Sequence, residues 1–300
     1  MEAPFSYAGE IAALATAVCW TFTGVAFEAA GKRVGSLAVN LIRLLPAVVL
    51  LSLYSWTTRG VAFPTDATAH AWLWLSISGL IGFTIGDLCL FRAFVLVGAR
   101  VSMLLMAMVP PITTLFGLLI MGEVLSAREL LGMALTVAGV SSVVLEQRPD
   151  AEGKLRRLPL GGVLLGLGGA GGQALGLVLS KYGMGSYDAF AATQIRVVAG
   201  IVGFALVFTV IGWWPRVRAA VADRRAMVST GIGAFFGPFL GVSLSLVAVK
   251  YAYAGVAASL MALVPVLIIP ASVVVFREKV SPVAILGAVV AVAGSALLFT

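Results

Sequence analysis

Between short polar breaks this chain consists of ten apolar runs, each long enough to cross a lipid bilayer as a helix. A hydrocarbon core about 30 Å thick takes roughly 20 helical residues to span, and backbone groups surrounded by lipid must be satisfied within their own segment. The runs predict helices at 8–29, 36–57, 71–92, 100–121, 127–146, 160–180, 187–212, 227–249, 254–275 and 282–299. The longest polar stretch, EQRPDAEGKLRRLP from Glu146 to Pro159, falls between the fifth and sixth runs. It divides the chain into two five-helix units, 1–147 and 160–300, joined by a polar linker at 148–159. The N-terminal MEAPFSYAGE has no basic residue and the run after it has no convincing cleavage site, so the first run reads as a retained span rather than a signal peptide.

Composition supports the same class and removes others. Hydrophobic residues make up 61% of the chain and charged residues 11%, and the mean hydropathy is +1.08. A soluble domain carries about 25% charged residues to cover its surface. Soluble enzymes, disordered chains and disulfide scaffolds are therefore excluded. The two cysteines, Cys19 and Cys89, lie in apolar runs, and His70 is the single histidine, so no metal centre or cofactor is expected. No GxxxxGK[ST], HExxH or GxSxG pattern occurs, which leaves a fused ATPase or hydrolase without support. The net charge of +7 sits almost entirely in the gaps between apolar runs. The partner this implies is the lipid surface and not nucleic acid.

The two units are copies of each other. A single shift of 155 places Ala99, Leu105, Met106 and Pro110 on Ala254, Leu260, Met261 and Pro265. It also places Glu123, Ser126, Gly132 and Gly139 on Glu278, Ser281, Gly287 and Gly294, and Gly82 and Gly86 on Gly237 and Gly241. A shift of 153 brings Ile42 and Arg43 onto Ile195 and Arg196. Chance matching of apolar sequence supplies alanines and valines, but not paired Pro, Glu, Ser, Gly and Arg. Five is an odd number, so the second copy crosses the membrane in the opposite sense to the first. The predicted fold is an all-α polytopic membrane protein of two inverted five-helix repeats, with a site near the midplane between them.

The stretches VPPITTLFGLLIMGEVLSARELLGMALTVAGV and VPVLIIPASVVVFREKVSPVAILGAVVAVAGS each carry a Pro-bearing helix, a Glu turn and a closing helix with Gly. In this the chain resembles EamA-type members of the drug/metabolite transporter superfamily over almost its whole length. The resemblance implies a transporter and leaves the substrate open, because that superfamily moves amino acids, sugars, nucleotide sugars, phosphorylated metabolites and cationic drugs.

Ionisable groups within a span are costly unless paired or hydrated, so each is a candidate for function. Arg43 and Arg196 come first, about two turns into repeat-equivalent helices, with Asn40 and Thr193 three residues earlier. They read either as guanidinium groups that bind a carboxylate or phosphate, or as side chains that snorkel and tie helix ends. Asp87 reads as a proton-coupling carboxylate or as the partner of an arginine on another helix; Arg92, five residues along, points elsewhere. The shift puts Val242 opposite Asp87, so the halves do not supply equivalent chemistry. Trp20 and its equivalent Gln173 are amphipathic or polar groups that could face the cavity, with Trp20 otherwise facing lipid or packed, and Gln194 supplies a donor and an acceptor or bonds a neighbouring helix. Met106, Pro110, Met261 and Pro265 mark the fourth and ninth spans as cavity or hinge positions, or as core packing.

Glu123 and Glu278 read mainly as scaffold, with Ser126 and Glu129 forming a capping box and Ser281–Pro282 opening the tenth helix. The glycine-rich sixth span reads as close packing or as a bending gate. Thirteen of the twenty Lys and Arg lie after odd-numbered spans and four on the other side. The positive-inside rule then places both termini outside, whereas the resemblance implies cytoplasmic termini. The expectation is a secondary transporter, not an enzyme, in the bacterial inner membrane. It would move a small polar or anionic, amino-acid-like metabolite by alternating access, as a proton-coupled exporter and as a monomer or homodimer. The alternatives are cationic drug efflux and a non-transporting membrane protein.

Overall fold

The computed structural model describes residues 7–146, 159–267 and 282–299. Among these, nine helices are long and apolar enough to cross a membrane, and a shorter apolar helix covers Ala254–Leu267. In chain order the first half contains α1 (Ala8–Val34), α2 (Ser36–Ile42), α3 (Leu44–Arg59), α4 (Ala69–Gly79), α5 (Asp87–Met106), α6 (Val109–Met121) and α7 (Ala127–Glu146). The second contains α8 (Leu160–Met184), α9 (Ala189–Val210), α10 (Trp214–Ala222), α11 (Arg224–Ala234), α12 (Val242–Tyr251), α13 (Ala254–Met261) and α14 (Pro282–Ala296). The ten predicted spans are each recognisable in this order, with ends displaced by a few residues. Glu278 and Ser281 lie outside the described residues.

The pseudo-symmetry of the sequence is visible in the backbone. Leu80–Gly86 and Phe235–Gly241 are π-helical, one within the third span and one within the eighth, and they are related by the same shift of 155. A π turn widens the helix by one residue and breaks the regular i to i−4 ladder. That is compatible with Pro238, which has no N–H and lies within the second of these turns. The fourth and ninth spans are likewise interrupted at equivalent places: α5 ends at Met106 and α13 at Met261, and after two intervening residues each resumes with Pro110 or Pro265 just inside the new helix.

The lead helix of each half packs on the third span of the other. The first helix, α1, lies against α11, the second π turn and α12, while α8 lies against α4, the first π turn and α5. Glycines make this approach possible. A Cβ at Gly172 would stand 2.8 Å from the Gly86 Cα, and one at Gly176 would stand 3.1 Å from the Gly82 Cα. The sixth span is unbroken, and its glycines approach Gly82, Gly86 and Leu90 closely, as the close-packing reading expects. The last helices of the two halves form a second seam, α7 against α14, where Gly139 meets Gly287 and Gly132 meets Gly294. These are two repeat-equivalent pairs facing each other across the pseudo-twofold axis.

Two elements differ from expectation. Helical bonding continues from Asp87 to Met106, although a break near residue 100 is predicted and the second half has one at Ala252–Tyr253. The chain nevertheless reverses here, since Leu96 and Val97 lie against Gly162 and Leu105 lies back against Gly166. The connection after the seventh span, which no predicted run covers, holds α10. Pro215 opens it near its start, and the Arg216 guanidinium stacks 3.7 Å from the Trp213 ring centroid. An Arg on a Trp at a span end is a typical membrane-interface arrangement.

Candidate functional site

Arg43 and Arg196 are each the eighth residue of a span, in Ser36–Arg59 and Ala189–Val210. At about 1.5 Å per residue each backbone position lies roughly 10 Å from the start of its span. Because the repeats are inverted, those depths are counted from opposite ends of the helix bundle.

Asp87, directly after the first π turn, connects them. It is buried, with 6% of its surface exposed, and its carboxylate is ion-paired with Nη2 of Arg43. The second carboxylate oxygen accepts from Nε2 of Gln173 at 3.1 Å, and the same amide nitrogen reaches the Gly82 carbonyl at 3.3 Å. Both halves thus contribute to one hydrogen-bonded unit. Arg92 is exposed, so the partner of Asp87 is the arginine of another helix. Arg43 stands at a small break between α2 and α3, and its guanidinium lies 5.3 Å from the Phe27 ring centroid.

Arg196 is the counterpart without an acid. It is 5% exposed, and among the described residues no carboxylate pairs with it. Its Nε is buried without a hydrogen-bond partner. The guanidinium sits 5.1 Å from the Phe83 ring centroid, and a Cβ on Gly82 would be 3.4 Å from Nη2. Gly82 is therefore the common neighbour: its carbonyl is held by Gln173 and its open side faces Arg196. The Gly79 side of the same helix meets the Arg196 backbone directly, with a Cβ there only 2.9 Å from the Arg196 Cα. Asn40, 3% exposed, adds another unsatisfied group, since its Nδ2 has no partner.

The other sequence candidates divide. Gln194 is fully buried but donates to Ser52 Oγ at 2.8 Å and the Ala62 carbonyl at 2.9 Å, so it ties α9 to α3 and the loop after it. Trp20 stacks on Gly241 in the second π turn, at the place in the other half that Gln173 occupies beside Gly86. Met261 is in the core with Leu260 and Val178. Pro110 is buried, and Met106 and Pro265 are half-buried at the two span breaks. Because Pro110 and Pro265 lack an N–H, the carbonyls four residues earlier, those of Met106 and Met261, have no intrahelical donor from these positions. The capping box is formed: the Ser126 N–H donates to Glu129 at 2.6 Å and the Glu129 N–H to Ser126 Oγ at 3.3 Å.

Sequence reasoning missed an aromatic cluster around the second π turn. Tyr54 stacks on Phe190 at 4.1 Å between centroids, and Phe239 meets both rings, at 6.3 and 6.0 Å. Phe235 and Phe236 continue it towards Phe22. The run FFGPFLG carried the signal, but Tyr54 and Phe190 belong to distant helices. The first π turn is therefore flanked by Asp87, Gln173 and Arg196, and the second by aromatic rings. No group of three or more His, Cys, Asp or Glu able to hold a metal is found among the described residues.

Comparison with known proteins agrees with this architecture. A solved crystal structure superposes on the chain with a TM-score of 0.75 at 18% identity, covering 98% of this chain and 96% of the other, a likeness of fold. No curated protein sequence matches the chain. The sequence model of one family matches twice, at residues 7–145 and again at 160–300, once for each five-helix half. With two such matches spanning nearly its whole length, this membrane protein belongs to the EamA-like transporter family, within the drug/metabolite transporter superfamily.

Proposed function

We propose that this protein is a secondary transporter for a small polar or anionic, amino-acid-like metabolite, working by alternating access in the bacterial inner membrane and coupled to protons as an exporter. What supports the reading is the unit of Arg43, Asp87 and Gln173, in which a buried ion pair of the first half is hydrogen-bonded to the lead helix of the second. A rocking motion of one half against the other changes the exposure of that unit, as inverted repeats do around a fixed midplane site. Asp87 is the carboxylate available for a proton: once neutral it releases Arg43, which then serves the substrate. Efflux of a cationic drug is less well supported, because the carboxylate it needs is already held by Arg43.

Flux into proteoliposomes tests the proposal. With an imposed pH gradient, a panel of amino acids, organic acids, sugar phosphates, nucleotide sugars and organic cations is expected to yield gradient-driven movement of a polar or anionic member. Asp87→Asn uncouples that movement from the gradient. Undiminished transport in the Arg43→Gln/Arg196→Gln double variant overturns the site assignment.

A further inference from the structure

We infer that the ligand of this site carries a single negative charge, received by Arg196; the inference rests on the transport reading above and names its substrate class. The charge balance of the buried groups is the starting point. Arg43 and Asp87 neutralise each other, with the remaining carboxylate oxygen held by Gln173. Arg196 contributes one further positive charge at 5% exposure. An isolated buried cation is among the most costly arrangements a protein holds, and a cation in a span is kept where it meets a partner or a path.

Among the described residues, the surroundings of Arg196 supply no carboxylate partner. On one side is the face of Phe83, 5.1 Å from the guanidinium, which attracts a cation but supplies no negative charge. On another is Gly82, where even a methyl group would come within 3.4 Å of Nη2. The backbone carbonyl of Gly82 is taken by Gln173. Among the described residues no carboxylate pairs with the guanidinium and its Nε has no hydrogen-bond partner, and its planar fork matches a carboxylate or a singly ionised phosphate ester. A neutral sugar leaves the charge uncompensated, and an organic cation adds to it. A dianion exceeds the available charge as long as Asp87 is ionised. Among amino-acid-like metabolites this selects those of net charge −1, whose carboxylate meets Arg196 without leaving an unpaired ammonium in the site.

The test is a charge series at fixed pH on the full-length protein in nanodiscs, with binding read by calorimetry. The probes are lactate and benzoate (one charge), succinate (two), glucose (none) and tetraethylammonium (cationic). The expected result is that only the monoanions bind appreciably, and that Arg196→Gln weakens them at least about tenfold while Arg196→Lys, a point charge without the fork, restores part of the loss. Asp87→Asn, which leaves two uncompensated guanidinium groups, moves the preference towards succinate. If Arg196→Gln fails to fold, the charge series on the unaltered protein and the Asp87→Asn preference decide the matter. Preferred binding of glucose, tetraethylammonium or succinate by the unaltered protein, or monoanion binding unaffected by Arg196→Gln, overturns the inference. Flux of a neutral solute in proteoliposomes refutes the charge class and leaves the transport reading standing. Absence of flux for every solute class refutes the transport reading itself.

Discussion

Glu123, in the turn between α6 and α7, is ion-paired with Lys181 near the end of α8, and each of the two also holds one end of the turn between α12 and α13. The Lys181 ammonium donates to the Ala252 carbonyl at 2.6 Å, and the Glu123 carboxylate accepts from the Ala254 N–H at 2.8 Å. Glu123 thereby caps the N-terminus of α13, where an anion is favoured by the unpaired N–H groups. Lys250 adds a clasp on the same face by donating to the carbonyls of Ser186 and Tyr187 at 3.1 and 2.9 Å.

Removing one partner of this nearly buried pair leaves the other without compensation. Glu123→Ala is expected to lower stability by about 3 kcal/mol, read as a fall in the thermal midpoint of the purified protein. The Glu123→Ala/Lys181→Met double variant recovers part of that loss. Equal losses in the single and double variants would show that capping of α13, and not the ion pair, carries the effect.

A double-mutant cycle applies equally to Arg43 and Asp87, whose side chains are 16% and 8% exposed. Asp87→Asn alone strands the Arg43 charge and costs about 3 kcal/mol, whereas Arg43→Gln together with Asp87→Asn costs less than the sum of the singles. Additive losses in denaturation experiments would contradict the pairing.

The α7–α14 seam predicts a steric result. A Cβ at Gly139 would lie 2.5 Å from the Gly287 carbonyl oxygen, a backbone atom that moves only with its helix. Gly139→Ala is therefore expected to destabilise by about 2 kcal/mol, and Gly161→Ala, where a Cβ meets nothing within 4 Å, to have little effect. The comparison of the two midpoints is the measurement.

Outside the spans, acid weakens a tie between the halves. The Tyr187 hydroxyl donates to Asp66 at 2.8 Å and, together with the Asp66 backbone amide and Arg59, holds this carboxyl below its usual value. A depressed folded-state value means that the ionised carboxylate contributes stability above the ordinary carboxylate range, and that this contribution is lost as pH falls through the lowered value. The thermal midpoint of the protein should exceed that of Asp66→Asn at neutral pH, and the gap should close below about pH 4. A gap independent of pH would remove Asp66 from the account.

Much of the architecture was legible before any coordinates, and for an identifiable reason. Lipid permits few backbone solutions, so an apolar run of the right length already specifies a helix. Nearly constant shifts, 155 for Pro110 with Pro265 and 153 for Arg43 with Arg196, then give the inverted repeat. The site was legible only in its members. Asp87, Arg43 and Gln173 were each recognisable as costly within a span, but three helices had to be packed before it could be known that they touch. Gln194 looked as eligible as Gln173, and only its bonds to Ser52 and Ala62 set it apart.

The sequence by itself therefore determined the helices, their number in each half and their opposed directions, because these follow from hydropathy and from local identity repeated at constant spacing. Tertiary structure decided which cation is neutralised and which is not. Arg43 and Arg196 occupy equivalent places in the repeat, yet Asp87 exists in one half only, and cross-packing of α8 on the first π turn brings Gln173 to it while Arg196 faces the Gly82 side. Electrostatic compensation depends on distance in space, and no periodicity along the chain records it.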